Sequence, residues 1–378
     1  VYKYENSQWF QKGQDLFGHD SFNEFGFSLE LDSLGHNLVV GSPGADIVRV
    51  FNFTNDVWSQ IGSDIENEDA SACGYSVSID NSGDIISFGC PQYDNLNIDG
   101  GCVKTFFKEG NSWIKYSNNL FGELDYDKFG LSQKLSGDGK TLIVGIPKSD
   151  NFGQNNGEVK VFSYENFNWS QIGDNIGFND NFVSQQFGEA VDISHDGSII
   201  CVSAANNQSY IKLFRFENNA WVQIGNTITQ HENEPSVFGR SISLSYDGLA
   251  LAVGKPSYNE FNSSHGSFYT YILKDSIWSL KSFILDYNNT SQFGYSISLS
   301  GNGHRIVVGS PGNNNYLGNI NVYDFIKMGC TNNTAFNFSS LANFDDNSCI
   351  CFDNNLISYD SDTIYSCDSV ILVNNYYE

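Results

Sequence analysis

An F-G dipeptide returns along this chain at a nearly even spacing. It falls at Phe25/Gly26, Cys73/Gly74 (with Cys in place of Phe), Phe129/Gly130, Phe187/Gly188, Phe238/Gly239 and Phe293/Gly294, at intervals of 48, 56, 58, 51 and 55 residues. Each dipeptide leads into a stretch of the type x-S-x-S-L and a turn such as S-x-D-G. An apolar run ending in V-G-x-P, a V-x-V-F stretch and a W-x-Q-I-G segment follow. All six tryptophans, Trp9, Trp58, Trp113, Trp169, Trp221 and Trp278, occupy that last slot. A period of about 50 residues restricts the chain to an architecture in which each unit buries its apolar face on its neighbours.

Each unit reads as four short strands. The opening strand alternates with period two, Tyr295, Ile297 and Leu299 on one face and Ser296 and Ser298 on the other. A tight turn follows (Gly137-Asp138-Gly139; Tyr246-Asp247-Gly248), where Gly accepts positive φ and Asp bonds its own backbone. The second strand is a continuous apolar run, Leu142 to Val144 or Ile306 to Val308, as in a strand buried on both faces, and it ends before Pro147 or Pro311. A third strand (Val159, Val161, Phe162) and the Trp strand complete a four-stranded antiparallel sheet, the blade of a β-propeller.

The last copy runs out after its third strand at Phe325, whereas Gln8-Trp9-Phe10 has no opening strand before it. The N-terminal Trp strand is therefore expected to complete the last blade and close a six-bladed ring. Val1 to Tyr4 reads like another third strand (VYKYENSQW beside VFSYENFNW), so seven blades with one incomplete is the alternative. The propeller is assigned to residues 1–326 and a small C-terminal module and tail to 327–378.

The F-G opening followed by a V-G-x-P strand resembles the FG-GAP repeats of integrin alpha-subunit propellers and similar repeats of secreted microbial and algal surface proteins. The resemblance covers residues 1 to about 326 and implies an extracellular propeller. It departs at the turns: calcium-binding members carry D-x-D-x-D-G, and these turns are SGDG, SHDG, SYDG and SGNG, without the successive carboxylates calcium needs. The segment Gly329 to Cys349, GCTNNTAFNFSSLANFDDNSC, resembles a Cys-bounded module found near the ends of secreted surface proteins. It holds too few apolar residues for its own core, so a Cys330–Cys349 bridge is expected, worth about 3 kcal/mol by loop entropy, with Cys351–Cys367 as a second. Asp345 and Asp346 read as a solvated turn rather than a metal site. In the propeller, Cys90 ends a second strand and Cys102 opens the next, which predicts a Cys90–Cys102 bridge; Cys73 and Cys201 read as buried small hydrophobes.

A formal charge of −25, with 44 acidic against 19 basic residues and no Lys/Arg cluster, excludes a nucleic-acid or anionic-membrane partner. No apolar run reaches the roughly 20 residues that span a bilayer. Val1, with no charged-then-apolar leader after it, is read as following a removed secretory leader or a trimmed end. Eight N-x-[ST] acceptors, Asn52, Asn168, Asn207, Asn262, Asn288, Asn289, Asn332 and Asn337, fall in hairpins or loops and are candidate N-glycan sites.

Catalytic patterns are sparse. His36, His195 and His304 sit in or beside blade turns, the pairs Glu66/Glu68 and Asp174/Asp180 lie in loops, and no G-x-S-x-G, H-E-x-x-H or P-loop occurs. The residue after each F-G, namely Phe27, Tyr75, Leu131, Glu189, Arg240 and Tyr295, is placed near the central channel, with Glu189 and Arg240 as a pair. These readings converge on a non-catalytic, secreted or cell-surface glycoprotein without cofactor. It would act through other protein subunits, self-associating into a fibre such as a mastigoneme-like filament. The alternatives are a carbohydrate-binding or adhesin propeller and, behind it, a propeller hydrolase using channel carboxylates.

Overall fold

The structure is a computed structural model. It describes residues 1–5, 8–20, 22–66, 70–178, 184–206, 209–230, 237–256, 266–286, 291–312, 317–325, 328–329, 344–345, 363–366 and 369–372. The chain divides into two compact units, Val1–Val322 and Tyr323–Glu378.

The first unit is an all-β propeller of six antiparallel blades. An N-terminal hairpin, β1 (Tyr2–Glu5) and β2 (Gln8–Gln11), precedes the first blade, whose strands are β3 (Ser28–Leu31), β4 (Asn37–Ser42), β5 (Ile47–Thr54) and β6 (Val57–Gln60), hydrogen-bonded in that order. The second to fifth blades repeat the plan, opening with Ser76–Ile79, Ser132–Leu135, Phe187–Ile193 and Ser241–Leu244. The sixth contains Ser296–Leu299, Arg305–Ser310 and Asn319–Asp324. In the second unit, Met328–Gly329 pairs in parallel with Phe344–Asp345, and Thr363–Ser366 pairs antiparallel with Ser369–Leu372.

The local rules account for these elements. Every residue of β4 is buried, as a two-sided apolar strand requires. In the S-x-D-G turns the aspartate serves the backbone: Asp138 Oδ1 accepts from Ser136 Oγ (2.7 Å) and from the Lys140 amide (3.0 Å), while Gly139 takes a φ of +68°. Asp196 and Asp247 repeat this. These oxygens cap turns.

Adjacent blades are held by a recurring set of bonds. Ser28, Ser76, Ser132 and Ser241 each donate from Oγ to the carbonyl of the next blade's F-G glycine, at 2.6, 2.9, 2.7 and 3.0 Å. The fourth blade carries Ala190 there and lacks this bond. The F-G glycines all have φ between +83° and +96°. At Gly130 a Cβ would meet Val103 Cγ2 at 2.7 Å and the Cys102 carbonyl at 2.8 Å, which is why the position admits only glycine. The blade turns form a belt of main-chain bonds: Asn81 N–H to Gly137 O, Gly137 to His195, His195 to Tyr246 and Tyr246 to Gly301, all 2.8–2.9 Å. Buried tryptophans staple the rim, Trp58 Nε1 donating to Lys12 O and Trp278 Nε1 to Ile224 O on the segment before its own blade.

Two expectations need correction. The Trp9 strand does not enter the sixth sheet: among the described residues β1 and β2 pair only with each other, and Trp9 is 45% exposed where Trp58 is 3%. The Trp9 strand has its partner in β1 instead: Tyr4 lies opposite Trp9 as Phe53 lies opposite Trp58 in the first blade, so the N-terminal segment brings its own third-type strand. The second correction concerns the propeller disulfide, which joins Cys73 to Cys90, not Cys90 to Cys102. Cys102 lies directly across the ladder from Cys90 but is a free, buried thiol. The reason is in the blade packing. The second blade's opening strand lies on the side of Cys90 opposite Cys102, with the Gly74 amide on the Gly89 carbonyl at 3.1 Å, and this brings the Cys in the F-G slot onto Cys90. Cys201 is buried as expected.

Candidate binding site in the channel

The six opening strands line a central channel, and the residues after each F-G gather at one end of it. Arg240 Nη1 is 3.0 Å from Glu189 Oε1, the pair expected from the sequence. Arg240 also lies over the ring of Tyr295 (5.4 Å to the centroid) and hydrogen-bonds to the Tyr75 hydroxyl from across the channel. Tyr75 in turn packs on Phe27, ring centroids 4.8 Å apart. Burial raises the Tyr75 phenol above its ordinary pKa, against the pull of the Arg240 charge. Five blades thus contribute three aromatic rings and one ion pair to a single mouth, with Leu131 half-buried on the remaining blade.

The other end was not anticipated. A cavity of about 540 Å³ is lined by residues of all six opening strands and their turns. Into it project Glu30, Lys134 and Asp192, which stand at one repeat position filled by Ser78, Ser243 and Ser298 in the other blades. The signal was present as three charged replacements of the second serine in S-x-S; only the ring geometry shows that they converge. Lys134 Nζ donates to Glu30 Oε1 across the channel. Burial works against the Lys134 charge, but Glu30 and Asp192 outweigh it and hold the ammonium pKa above its ordinary value. Asp192 is buried, which pushes its carboxyl pKa up although Lys134 and the amides of Leu244 (2.6 Å) and Ile193 (2.9 Å) stabilise the charge. Beside them His195 accepts at Nδ1 from Asn81 Nδ2 (2.8 Å) and stacks on Tyr246, a turn role as expected.

Of the candidate glycan acceptors, Asn168 is exposed at the start of its strand. Asn52 is half-buried, its amide donating to Asn37 Oδ1 (2.9 Å) and to the His36 carbonyl (3.3 Å). Asn207, Asn262, Asn288, Asn289, Asn332 and Asn337 lie outside the described residues, as do Cys330, Cys349, Cys351 and Cys367. Among the described residues, no helix is long and apolar enough to cross a membrane.

No family model matches the chain, and no curated protein does. Solved structures do. The chain is similar to the Kuenenia stuttgartiensis hydrazine synthase (14% identity, 83% of this chain and 80% of that one covered, TM-score 0.56). It is also similar to a functionally unknown protein from Desulfotomaculum acetoxidans (12%, 79% and 82%, 0.53) and to a protein from Lactobacillus plantarum (14%, 79% and 80%, 0.54). At such identities the likeness is one of fold, and it leaves function open.

Proposed function

We propose that this chain is a non-catalytic recognition propeller of an N-glycosylated, secreted or cell-surface protein, and that it engages carbohydrate at the F-G mouth of its channel. One observation carries the reading: Phe27, Tyr75 and Tyr295 converge there on the Arg240–Glu189 pair. Aromatic faces give the apolar side of a sugar ring a flat surface, and a fixed ion pair offers donors and acceptors to its hydroxyls, the mix of apolar wall and few convergent polar groups that ligand sites use. The kinship with FG-GAP-like repeats of surface proteins belongs to the same proposal. A glycan array followed by calorimetry tests it: Tyr295→Ala and Arg240→Ala are expected to weaken a specific glycan at least about 10-fold, the loss of about 1.4 kcal/mol. Absence of saturable binding, or binding unchanged in both variants, would overturn the proposal.

A second reading, a self-associating filament subunit, is favoured by the exposed apolar residues of the N-terminal hairpin, Tyr2, Trp9 and Phe10. Electron microscopy and light scattering decide it; dispersed monomers at high concentration count against it.

A further inference from the structure

The F-G glycines of the second to sixth blades each lie against the blade before them, and among the described residues the first blade's F-G glycine has no such neighbour. Ser296 and Ser298 of the sixth blade are exposed, and among the described residues neither has the glycine carbonyl or leucine amide that Ser241 and Ser243 find on the blade after them. On the first blade, Phe27, Leu29 and Leu31 are exposed, Leu29 to 61%, where the equivalent Val77 and Ile242 are 8% and 9% exposed. A Cβ on Gly26 would meet nothing within 4 Å, unlike one on any other F-G glycine. Among the described residues the belt of turn bonds ends at Gly301.

At the rim the same two blades are bridged by the N-terminal hairpin. Gly13, just after β2, meets the Trp58 indole as Gly173 meets Trp221 and Gly225 meets Trp278, the relation of one blade's outer strand to the following blade. Tyr4 lies under Arg305, 5.0 Å from its guanidinium, on the face of the sixth blade that looks toward the next blade. The hairpin β1–β2 therefore holds the outer half of a seventh blade position, and none of the described strands occupies its inner half.

We propose that this gap is a seat for a two-stranded β-hairpin of the repeat's own first-and-second-strand type, supplied by polypeptide outside residues 1–378. The built junctions define its chemistry. Its opening strand must offer a glycine carbonyl to Ser296 Oγ and a main-chain amide to Ser298 Oγ. It must set small hydroxyl residues against Leu29 and Leu31 and bulky apolar ones against the sixth blade, while its second strand pairs with the edge of β1 that faces away from β2. A second copy of residues 1–378 has no such hairpin to give, because all six of its F-G hairpins are already in blades.

The test uses the whole chain and a synthetic peptide copying residues 293–310. One-to-one saturable binding is expected, with a blue shift of Trp9 emission and protection of a Leu29→Cys variant from maleimide, read at residue 29 by peptide mapping. Leu29→Glu should weaken the peptide at least about 10-fold, while Val222→Glu, on an exposed outer strand, should not. If Leu29→Glu fails to fold, the Leu29→Cys protection decides alone. The proposal falls if the peptide does not bind, if Leu29→Glu leaves binding unchanged, or if Leu29→Cys is already protected in the chain alone. Protection that grows with chain concentration would assign the seat to a second copy and equally overturn it.

Discussion

Lys134, on the third blade, reaches past the second to donate to Glu30 on the first, so the pair ties together elements 104 residues apart. Because Asp192 also faces Lys134, removing the lysine leaves two carboxyl groups without their shared partner. Lys134→Ala is expected to destabilise the propeller by about 1–2 kcal/mol, less than a fully buried pair because the ammonium is partly hydrated. In a double-mutant cycle with Glu30→Ala the two effects should fall short of additivity by about 0.5–1 kcal/mol. Denaturant unfolding measures both, and additive losses would show that the pair is uncoupled.

Acid should separate Asp64 from Asp192. Two hydrogen bonds from Arg49 (2.9 and 2.7 Å) hold the Asp64 carboxyl below its ordinary value of 3.8, against its burial. Its contribution is therefore present above pH 3.8 and disappears as pH falls through the lower folded value. Asp192, raised above 3.8 by burial, behaves oppositely: its contribution is complete below 3.8 and is lost as pH rises through the folded value. Relative to wild type, Asp64→Asn should recover stability on acidification and Asp192→Asn should lose it, as read by unfolding at pH 3 and pH 7.

Peptide mapping without reduction is expected to show Cys73 bonded to Cys90 and Cys102 free. Burial pushes the Cys102 thiol up to about 12, so it should resist alkylation until the fold opens. Cys102→Ser should leave the bridge intact; Cys73→Ser should lower stability by about 3 kcal/mol, the loop-entropy value for a separation of 17 residues. A Cys90–Cys102 peptide would refute the assignment.

Two glycines with nearly equal φ should respond differently to alanine. Gly130 (φ +83°) has Val103 and Cys102 O where a Cβ would go, whereas Gly26 (φ +87°) has open space. Gly26→Ala should cost about 1 kcal/mol, from backbone strain alone, and Gly130→Ala about 2–4 kcal/mol with overpacking added. Equal losses in thermal unfolding would mean that the first blade is packed like the third.

In a glycosylating host, Asn168 should carry glycan more fully than Asn52, whose amide is engaged by Asn37 and His36. Glycopeptide mass spectrometry of the two sites gives the comparison.

The sequence by itself determined the blade. Period-two alternation, the S-x-D-G turn, the two-sided apolar strand and the Trp slot are local rules, and each placed its strand because side-chain direction in a strand depends only on position along it. Proximity of Glu189 to Arg240 followed from the repeat alone, since equivalent residues of adjacent units must be neighbours. Three features depended on tertiary structure: which cysteine Cys90 would choose, the meeting of Glu30 with Lys134 and Asp192, and the gap between the sixth and first blades. Cys90 has one cysteine across its own ladder and another arriving from the opening strand, and only the packing of backbones selects between them. Charged groups on non-adjacent blades meet only when the curvature of the ring fixes the width of the channel. Whether a ring closes is a sum of small rotations over all blades, a global quantity that no single repeat encodes.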